Sequence, residues 1–268
     1  MNFSRIKAIF FRQFYLLRHN PTRLVNIFLW VFLDLMLWGF ITKYLDVVGQ
    51  SSFSFTTVFL GAIILWGFLT RSQQGFMLGF FEDVWSRNFF NYFASPLKIK
   101  EYLTGLVLAG IITSSLGFSA MVLAAGLVFG FNLFKIGIYL FPFLFILFLF
   151  GLALGIFAAG LVLRFGPSAE WLAWPIPFII EPFVGVFYPI SILPMPFQLM
   201  AKLVPLSYVF ESMRTILITG EPGGDLFFSM ATGLALSLIY LFSAYFFFSR
   251  IYRSVLRKGL ISRINADF

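Results

Sequence analysis

Two acidic residues lie within long apolar runs of the sequence, where an ionisable side chain needs a physical reason. Asp34 has Trp30 and Trp38 four residues to either side, so the three side chains share one face of a helix. Glu181 precedes Pro182 in a later apolar run. A charge in such surroundings is costly unless it faces protein or water. Both carboxylates are therefore candidates to line a substrate path or a seam between subunits. The alternative is a structural hydrogen-bonding role, which the sequence favours for Asp34 and leaves open for Glu181.

The rest of the sequence gives little support for catalytic activity. A carboxylate dyad would need Asp34 and Glu181 to cooperate, and no sequence feature brings them together. His19 is the only histidine and the chain has no cysteine, so we interpret His19 as a polar-face residue rather than a metal ligand or base. No G-x-x-x-x-G-K-S/T motif for nucleotide binding is present. We therefore expect no enzyme activity, no metal site and no cofactor in this chain.

The composition is that of an integral membrane protein. Of 268 residues, 60% are hydrophobic and 11% charged, with a mean hydropathy of +0.93, whereas a soluble domain has about 25% charged residues. Six apolar runs approach the roughly 20 residues that cross a bilayer. The sequence thus predicts an all-α membrane fold with six transmembrane helices, near residues 24–42, 54–70, 103–129, 136–163, 171–190 and 226–248.

The basic residues predict how these helices are oriented. Of the 19 Lys and Arg residues, 15 lie near one side of the predicted spans and four near the other. Because the basic side faces the cytoplasm, both termini and residues 81–103 are expected there, in the inner (plasma) membrane. Attraction to anionic lipid accounts for the net charge of +8, so membrane lipids are expected partners and nucleic acid is not.

The first 21 residues predict an amphipathic helix that lies at the cytoplasmic interface, ahead of a transmembrane domain formed by residues 22–268. Arg5, Arg12 and His19 recur at seven-residue spacing on one face. The apolar stripe is expected to comprise Phe3, Ile6, Phe10, Phe14 and Leu17.

Residues 81–103 form the most polar stretch between two apolar runs and predict a second surface helix at about residues 82–95. Asp83 and Arg87 would form an i, i+4 pair, and Pro96 would end the helix. The segment is either a solvated helical loop or a docking surface for a cytosolic partner. Its apolar side chains at helical spacing are Trp85, Phe89, Tyr92 and Phe93.

Residues 175–222 contain eight of the 12 prolines, a density that no continuous helix tolerates. We expect a bent fifth span followed by short re-entrant helices on the outer side, at about residues 189–222. Glu211 and Arg214 form an i, i+3 pair there, for which a structural role is favoured. The prolines of this outer segment include Pro189, Pro194 and Pro205.

The chain resembles the permeases of type-2 ATP-binding cassette exporters over nearly its whole length. Three motifs stand in the right topological places. They are Arg87-Asn-Phe-Phe-Asn-Tyr-Phe-Ala-Ser-Pro-Leu-Lys-Ile-Lys-Glu-Tyr-Leu103, Tyr188-Pro-Ile-Ser-Ile-Leu-Pro194 and Val204-Pro-Leu-Ser-Tyr-Val-Phe-Glu-Ser-Met-Arg214.

The resemblance implies a division of labour between subunits. Residues 85–94 would be the coupling helix seated in a groove of a separate ATPase, and the N-terminal helix would contact the same subunit. Two permeases, here a homodimer, would work with two ATPase copies that bind ATP and Mg. Residues 81–87 replace the family's usual Glu-Arg-Glu-Arg-Gly run. The residues expected to transmit force are Asp83, Trp85, Arg87, Phe89, Phe90, Tyr92 and Phe93.

The resemblance implies export of an amphipathic substrate but does not identify it. A lipid-linked polysaccharide or lipo-oligosaccharide is favoured, and a drug or lipid is the alternative within the family. A secondary transporter outside the family is a further alternative. Such inverted-repeat proteins place matching broken helices in both halves, whereas prolines crowd only the fifth run here.

Overall fold

The computed structural model describes residues 2–49, 55–88, 91–92 and 95–257, and among these residues there is helix but no strand. The prediction of an all-α protein with several membrane-spanning candidates is confirmed. In chain order the α-helices are α1 (Phe3–His19), α2 (Pro21–Gly49), α3 (Phe55–Trp85), α4 (Ile99–Phe129), α5 (Leu140–Phe165), α6 (Glu170–Ala173), α7 (Ile176–Ile180), α8 (Met195–Lys202), α9 (Pro205–Thr219) and α10 (Leu226–Arg257).

Four helical stretches of the described chain are both long and apolar enough to cross a membrane. α3 has 31 residues, which gives about 45 Å of helix, and it contains Arg71, Glu82 and Asp83. The four stretches overlap the first, third, fourth and sixth predicted spans and are Phe28–Val48, Ile99–Phe129, Leu133–Phe165 and Leu226–Arg257.

The fifth predicted span is a bent series of single helical turns. A 3₁₀ turn at Pro167–Ala169 leads into α6 and α7, and a second at Glu181–Phe183 follows them. Trp174 and Pro175, between α6 and α7, keep right-handed helical dihedral angles, so the path bends without reversing. The prolines interrupt the hydrogen-bond ladder because each lacks an N–H donor. The span ends sooner than the expected residue 190, since Gly185 turns the chain with a φ of 67°.

Short helices follow at residues 190–219, as the prolines predicted. Pro194 precedes α8 and Pro205 begins α9, both positions where a missing N–H costs nothing. Pro189 precedes a 3₁₀ turn at Ile190–Ile192 in the same way. Gly220 ends α9 in the left-handed conformation, with a φ of 79°.

α3 and α5 pack against each other at the centre of the bundle through small residues. A Cβ atom at Gly151 would lie 2.7 Å from the carbonyl oxygen of Leu69 and 2.9 Å from the Cβ of Ser72. One turn further on, a Cβ atom at Gly155 would lie 2.8 Å from the carbonyl oxygen of Gln73. Only glycine permits this approach, which brings backbone against backbone.

The close approach at Gly151 can be tested with one methyl group. Gly151→Ala should destabilise the solubilised protein by about 1–3 kcal/mol, the usual cost of overpacking a filled core. Thermal unfolding in detergent measures the effect. Gly126→Ala is the matched control, because its Cβ would meet only the Phe131 carbonyl oxygen at an ordinary 3.6 Å. Equal melting temperatures for the two variants would contradict the packing described.

Candidate functional site

α1 packs along the first turns of α4 at one end of the bundle. Its buried residues are Ile6, Ile9, Gln13 and Leu17, and a Cβ at Gly105 of α4 would lie only 2.6 Å from the Cβ of Ile9. The apolar stripe predicted from sequence divides between two environments. Ile6 and Leu17 face the protein, but Phe3 and Phe14 are exposed.

Asp83, in the last turn of α3, is fully buried and joins four parts of the chain. Arg12 of α1 forms an ion pair with it, with Nη1 2.5 Å from Oδ1. The hydroxyl of Tyr102 on α4 donates to Oδ2 at 2.7 Å, and the hydroxyl of Tyr92 donates to Oδ1 at 3.2 Å. The amide of Asn88 lies 3.5 Å from Oδ1. We call Arg12, Asp83, Asn88, Tyr92 and Tyr102 the Asp83 junction.

The electrostatics of the Asp83 junction follow from burial and from the Asp83 charge. Burial raises the pKa of Tyr92, and the neighbouring Asp83 carboxylate raises it further. Burial alone would lower the pKa of Arg12, but the attraction of Asp83 more than offsets this effect and the pKa is raised. Tyr92 therefore remains a neutral donor and Arg12 a cation, which are the states that a buried carboxylate needs.

Glu101 forms a second tie between α1 and α4. It is 1% exposed, and its Oε1 accepts a hydrogen bond from the backbone N–H of Asn2 at 2.6 Å. Its Oε2 accepts from the backbone N–H of Lys98 at 3.1 Å and lies 3.5 Å from Arg5 Nη1. Arg5 Nη1 also donates to the carbonyl oxygen of Pro96 at 2.5 Å. The beginning and the middle of α1 are thus fixed to the end of α3, to the first turn of α4 and to the connection between them.

The surface helix predicted at residues 82–95 does not begin at residue 82. Residues 82–85 continue α3, and residues 86–88 form a turn in which Arg87 has a φ of 55°. Because this left-handed residue interrupts the helix, Asp83 pairs with Arg12 instead of the Arg87 that helical spacing predicted. Phe89, Phe90 and Phe93 lie outside the described residues.

Trp85 connects the end of α3 to the beginning of the bent fifth span. Its indole N–H donates to Glu170 Oε2 at 3.1 Å, and the indole N–H of Trp174 donates to Oε1 at 3.3 Å. One carboxylate thus holds two indoles, while 42% of the Trp85 side chain stays exposed. We call these three residues the Glu170 bridge.

Asp34 and Glu181 are closer together than the sequence could show. Asp34 lies within electrostatic range of Glu181 and of Arg71 on α3. Among the described residues no hydrogen bond joins the two carboxylates, whereas a catalytic dyad shares a proton between adjacent carboxyl groups. Trp30 is 57% exposed, while Trp38 stacks on Phe187 with ring centroids 5.5 Å apart.

Glu211 and Arg214 pin the outer segment at the opposite end of the bundle. Arg214 is 6% exposed, and its Nη2 donates to the carbonyl oxygens of Gly185 at 2.6 Å and Tyr188 at 3.0 Å. Glu211 lies 3.0 Å from Arg214 Nη1, and its Oε1 accepts from the backbone N–H of Ile190 at 2.7 Å. The pair ties α9 to the chain that leaves the fifth span, in agreement with the structural role favoured above.

The family model of the ABC-2 type transporter matches residues 4–218. The match runs from the first turn of α1 to the end of α9, so it includes the Asp83 junction, the Glu170 bridge and the outer segment. The chain belongs to the ABC-2 type transporter family. Among curated proteins the comparison finds none that matches this chain.

Members of the ABC-2 type transporter family are transmembrane permeases and not nucleotide-binding domains, and they normally work with an ATPase subunit. The resemblance noted from three motifs is therefore confirmed. The helices long and apolar enough to cross a membrane agree with a membrane protein of this ABC-2 family.

Sequence reasoning missed four residues of these contacts. Arg12 and Tyr102 meet Asp83 from positions distant in the chain, and no local spacing indicated either contact. No local spacing indicated the interaction of Arg71 with Asp34 either. One contact of Glu170 could have been predicted, because Trp174 follows it at i+4, the spacing at which side chains meet on a helix.

The ion pair of the Asp83 junction can be measured with a double-mutant cycle. Arg12→Met should lower the free energy of unfolding by about 3 kcal/mol, because it leaves the Asp83 carboxylate buried without its cation. Arg12→Met combined with Asp83→Leu should be less destabilising than the sum of the single changes, by about 1–3 kcal/mol. Unfolding in mixed micelles provides the measurement.

The control for that cycle is Lys7→Met, which removes a cation from the same helix. Lys7 is exposed and its ammonium contacts the Phe3 ring, so the change should stay within about 0.5 kcal/mol. Strict additivity of the Arg12 and Asp83 variants would show that no ion pair couples them.

The outer pair should show an asymmetry between its two members. Arg214→Met leaves buried carbonyl groups without a donor and should cost about 2–4 kcal/mol. Glu211→Gln keeps an oxygen for the N–H of Ile190 and should cost less than half as much. Unfolding midpoints of the two variants provide the comparison, and a larger loss for Glu211→Gln would contradict the assignment.

Proposed function

We propose that this chain is the transmembrane permease subunit of an ABC exporter that moves an amphipathic substrate outward. The proposal includes six crossings of the inner (plasma) membrane, with both termini in the cytoplasm. Family membership supports the permease role, and the 15 to four distribution of basic residues supports the orientation. The energy would come from a separate ATPase subunit, present in two copies, that binds ATP and Mg.

The proposed coupling mechanism is based on the contacts of the Asp83 junction. A buried carboxylate bonded to α1, α3, α4 and the 86–98 connection makes these elements one mechanical unit. A partner that displaces the connection would therefore displace two long helices with it. Such rigid-body transmission is an established form of conformational coupling between domains.

We assign the ATPase contact to the exposed side of this unit. Trp85, Arg87 and Asn91 are exposed there, and Phe89, Phe90 and Phe93 are assigned with them by the family resemblance. Asp83 and Tyr92 belong to the supporting contacts, because Asp83 is fully buried and Tyr92 bonds to it. The Glu170 bridge would carry the same movement to the fifth span.

A second permease copy is proposed to cover α2. Asp34 and Trp30 are exposed on α2 of the single chain, and a carboxylate exposed to lipid at this depth would be costly. A seam between two copies would give Asp34 a protein or aqueous environment. With Arg71 and Glu181 close by, this seam is the proposed substrate path.

The favoured substrate is a lipid-linked polysaccharide or lipo-oligosaccharide loaded from the inner leaflet. The family resemblance supports this choice of substrate. The proposed path also supports it, because the path would run between an apolar surface and a charged seam and would suit an amphipathic molecule. Aromatic residues make up 21% of the chain, but 40 of them are Phe, which lacks the polar group that Tyr and Trp offer a sugar. The aromatic content therefore does not distinguish a glycan from a drug or a lipid.

The orientation can be tested directly because the chain contains no cysteine. Asn91→Cys and Gly224→Cys place single thiols at exposed sites at opposite ends of the bundle. In sealed vesicles with the native outward face exposed, an impermeant maleimide should label Gly224→Cys, and should label Asn91→Cys only after permeabilisation. The cysteine-free parent is the control. The reverse labelling pattern would contradict the proposed orientation.

The exporter function can be tested with the reconstituted complex of this permease and its ATPase. A lipid-linked oligosaccharide should stimulate ATP hydrolysis by about five-fold or more, within the usual range of coupling between distant sites. Phe89→Asp should keep basal hydrolysis and lose transport, because a charge would disrupt an apolar contact. Stimulation by the glycan-free carrier lipid alone would indicate lipid efflux, and transport without any ATPase would refute the proposal.

A further inference from the structure

Two buried polar residues of α3, Ser72 and Gln73, lie between the two apolar clusters that form the core. We call the clusters the outer cluster, which reaches the outer segment, and the junction cluster, which reaches the Asp83 junction. The outer cluster includes Leu65, Leu69, Phe150 and Phe210, and the junction cluster includes Phe76, Phe80, Tyr102 and Ile156. The two clusters therefore meet at a polar layer on α3.

Gln73 reaches from this layer to the fifth span. Its Nε2 donates to the carbonyl oxygen of Ala173 at 3.2 Å. In a regular helix that carbonyl would accept from the N–H of residue 177, but residue 177 is proline and has none. Because Ala173 is fully buried, solvent does not supply the missing donor. The amide of Gln73 thus satisfies an acceptor that the proline leaves open.

The backbone of Gln73 lies in the closest contact between α3 and α5. A Cβ atom at Gly155 would lie 2.8 Å from its carbonyl oxygen, and a Cβ atom at Gly151 would lie 3.3 Å from its nitrogen. Backbone therefore packs against backbone on both sides of this residue. The side chain of Gln73 attaches the fifth span to a tightly packed part of the bundle.

The fifth span passes from one cluster to the other at the same level. Ala173 belongs to the junction cluster, whereas Ile180 packs against the outer cluster. Between them Pro177 interrupts the hydrogen-bond ladder, and helices bend where a proline does so. Glu181 follows Pro177 at i+4, on the far side of the bend.

We propose that Gln73 is a positioning residue for transport, which holds the bend at Ala173–Pro177 and so sets where Glu181 stands on the substrate path. This role rests on the proposed function, which places Glu181 on that path. The first part of the span moves with the junction cluster, and the second part with the outer cluster. The hydrogen bond from Gln73 keeps the bend attached to α3 during this movement.

The hydrogen bond is tested with a double-mutant cycle in the purified full chain. Gln73→Met keeps the length of the side chain but removes the donor, and should lower the melting temperature in detergent by about 5 °C. Pro177→Ala returns an N–H at residue 177, so in that background the loss should be less than half as large. Equal losses in the two backgrounds, including failure of both variants to fold, would overturn the proposal.

The matched control is Gln13→Met, which removes the same kind of bond from a carbonyl that keeps its helical donor. Gln13 is buried, and its Nε2 donates to the carbonyl oxygen of Gly79 at 3.4 Å. Because α3 continues to Trp85, the N–H of Asp83 remains in place for that carbonyl. Gln13→Met should lower the melting temperature less than Gln73→Met does. If Pro177→Ala also reduced the effect of Gln13→Met, the rescue would not be specific to Gln73 and the proposal would be refuted.

The positioning role is tested in the reconstituted complex with a lipid-linked oligosaccharide. Gln73→Met should raise the concentration that gives half-maximal stimulation of ATP hydrolysis by about five-fold, and adding Pro177→Ala should bring it back to within about two-fold of the parent. In a Glu181→Gln background, Gln73→Met should add little. An unchanged concentration, or effects that add fully to those of Glu181→Gln, would contradict the positioning role.

Failure of the proposed function gives a different result. A parent complex that the oligosaccharide does not stimulate would refute the proposed substrate, and with it the positioning of Glu181 for that substrate. The double-mutant cycle in detergent needs neither substrate nor ATPase, so it would still report whether Gln73 holds the Ala173 carbonyl.

Discussion

The buried carboxylate of Asp83 determines how one end of this protein is built. A charge without solvent must be matched by donors, and here they come from α1, from α4 and from the connection between α3 and α4. A shift of any one of these elements alone would remove a partner of the buried carboxylate. Asp83 therefore acts through the contacts it enforces, and the exposed side chains around it are available to meet a partner.

Two further polar contacts extend this unit along the bundle. The Glu170 bridge joins the end of α3 to the fifth span, whose prolines have removed the regular ladder that would make it a stiff rod. At the opposite end, Arg214 fixes the chain that leaves this span to α9. The fifth span is thus held at both ends by polar contacts, and prolines interrupt its hydrogen-bond ladder between them.

Most of the architecture could be predicted because it depends on composition and on local rules. Long apolar runs predicted the long helices, and Pro189, Pro194 and Pro205 predicted where short helices begin. Contacts between distant segments were not predictable: spacing assigned Asp83 to Arg87, but Arg87 is left-handed and Arg12 takes its place. The sequence pattern of α1 also did not show which of its residues meet protein, since Ile6 and Leu17 are buried whereas Phe3 and Phe14 are exposed. The proximity of Asp34, Arg71 and Glu181 could not be predicted from the sequence, because it depends on how the helices pack.

The central claim is that the Asp83 junction moves as one body when the partner ATPase binds ATP. Spin labels on cysteines introduced at Lys7 and Asn91, both exposed, report distances within this body. Labels at Asn91 and Gly224 report distances across the bundle, in a background without native cysteine. Pulsed electron paramagnetic resonance on the reconstituted complex, diluted with unlabelled chain, should show an unchanged Lys7 to Asn91 distance and a changed Asn91 to Gly224 distance on adding ATP. A change within the first pair, or no change in the second, would contradict the account.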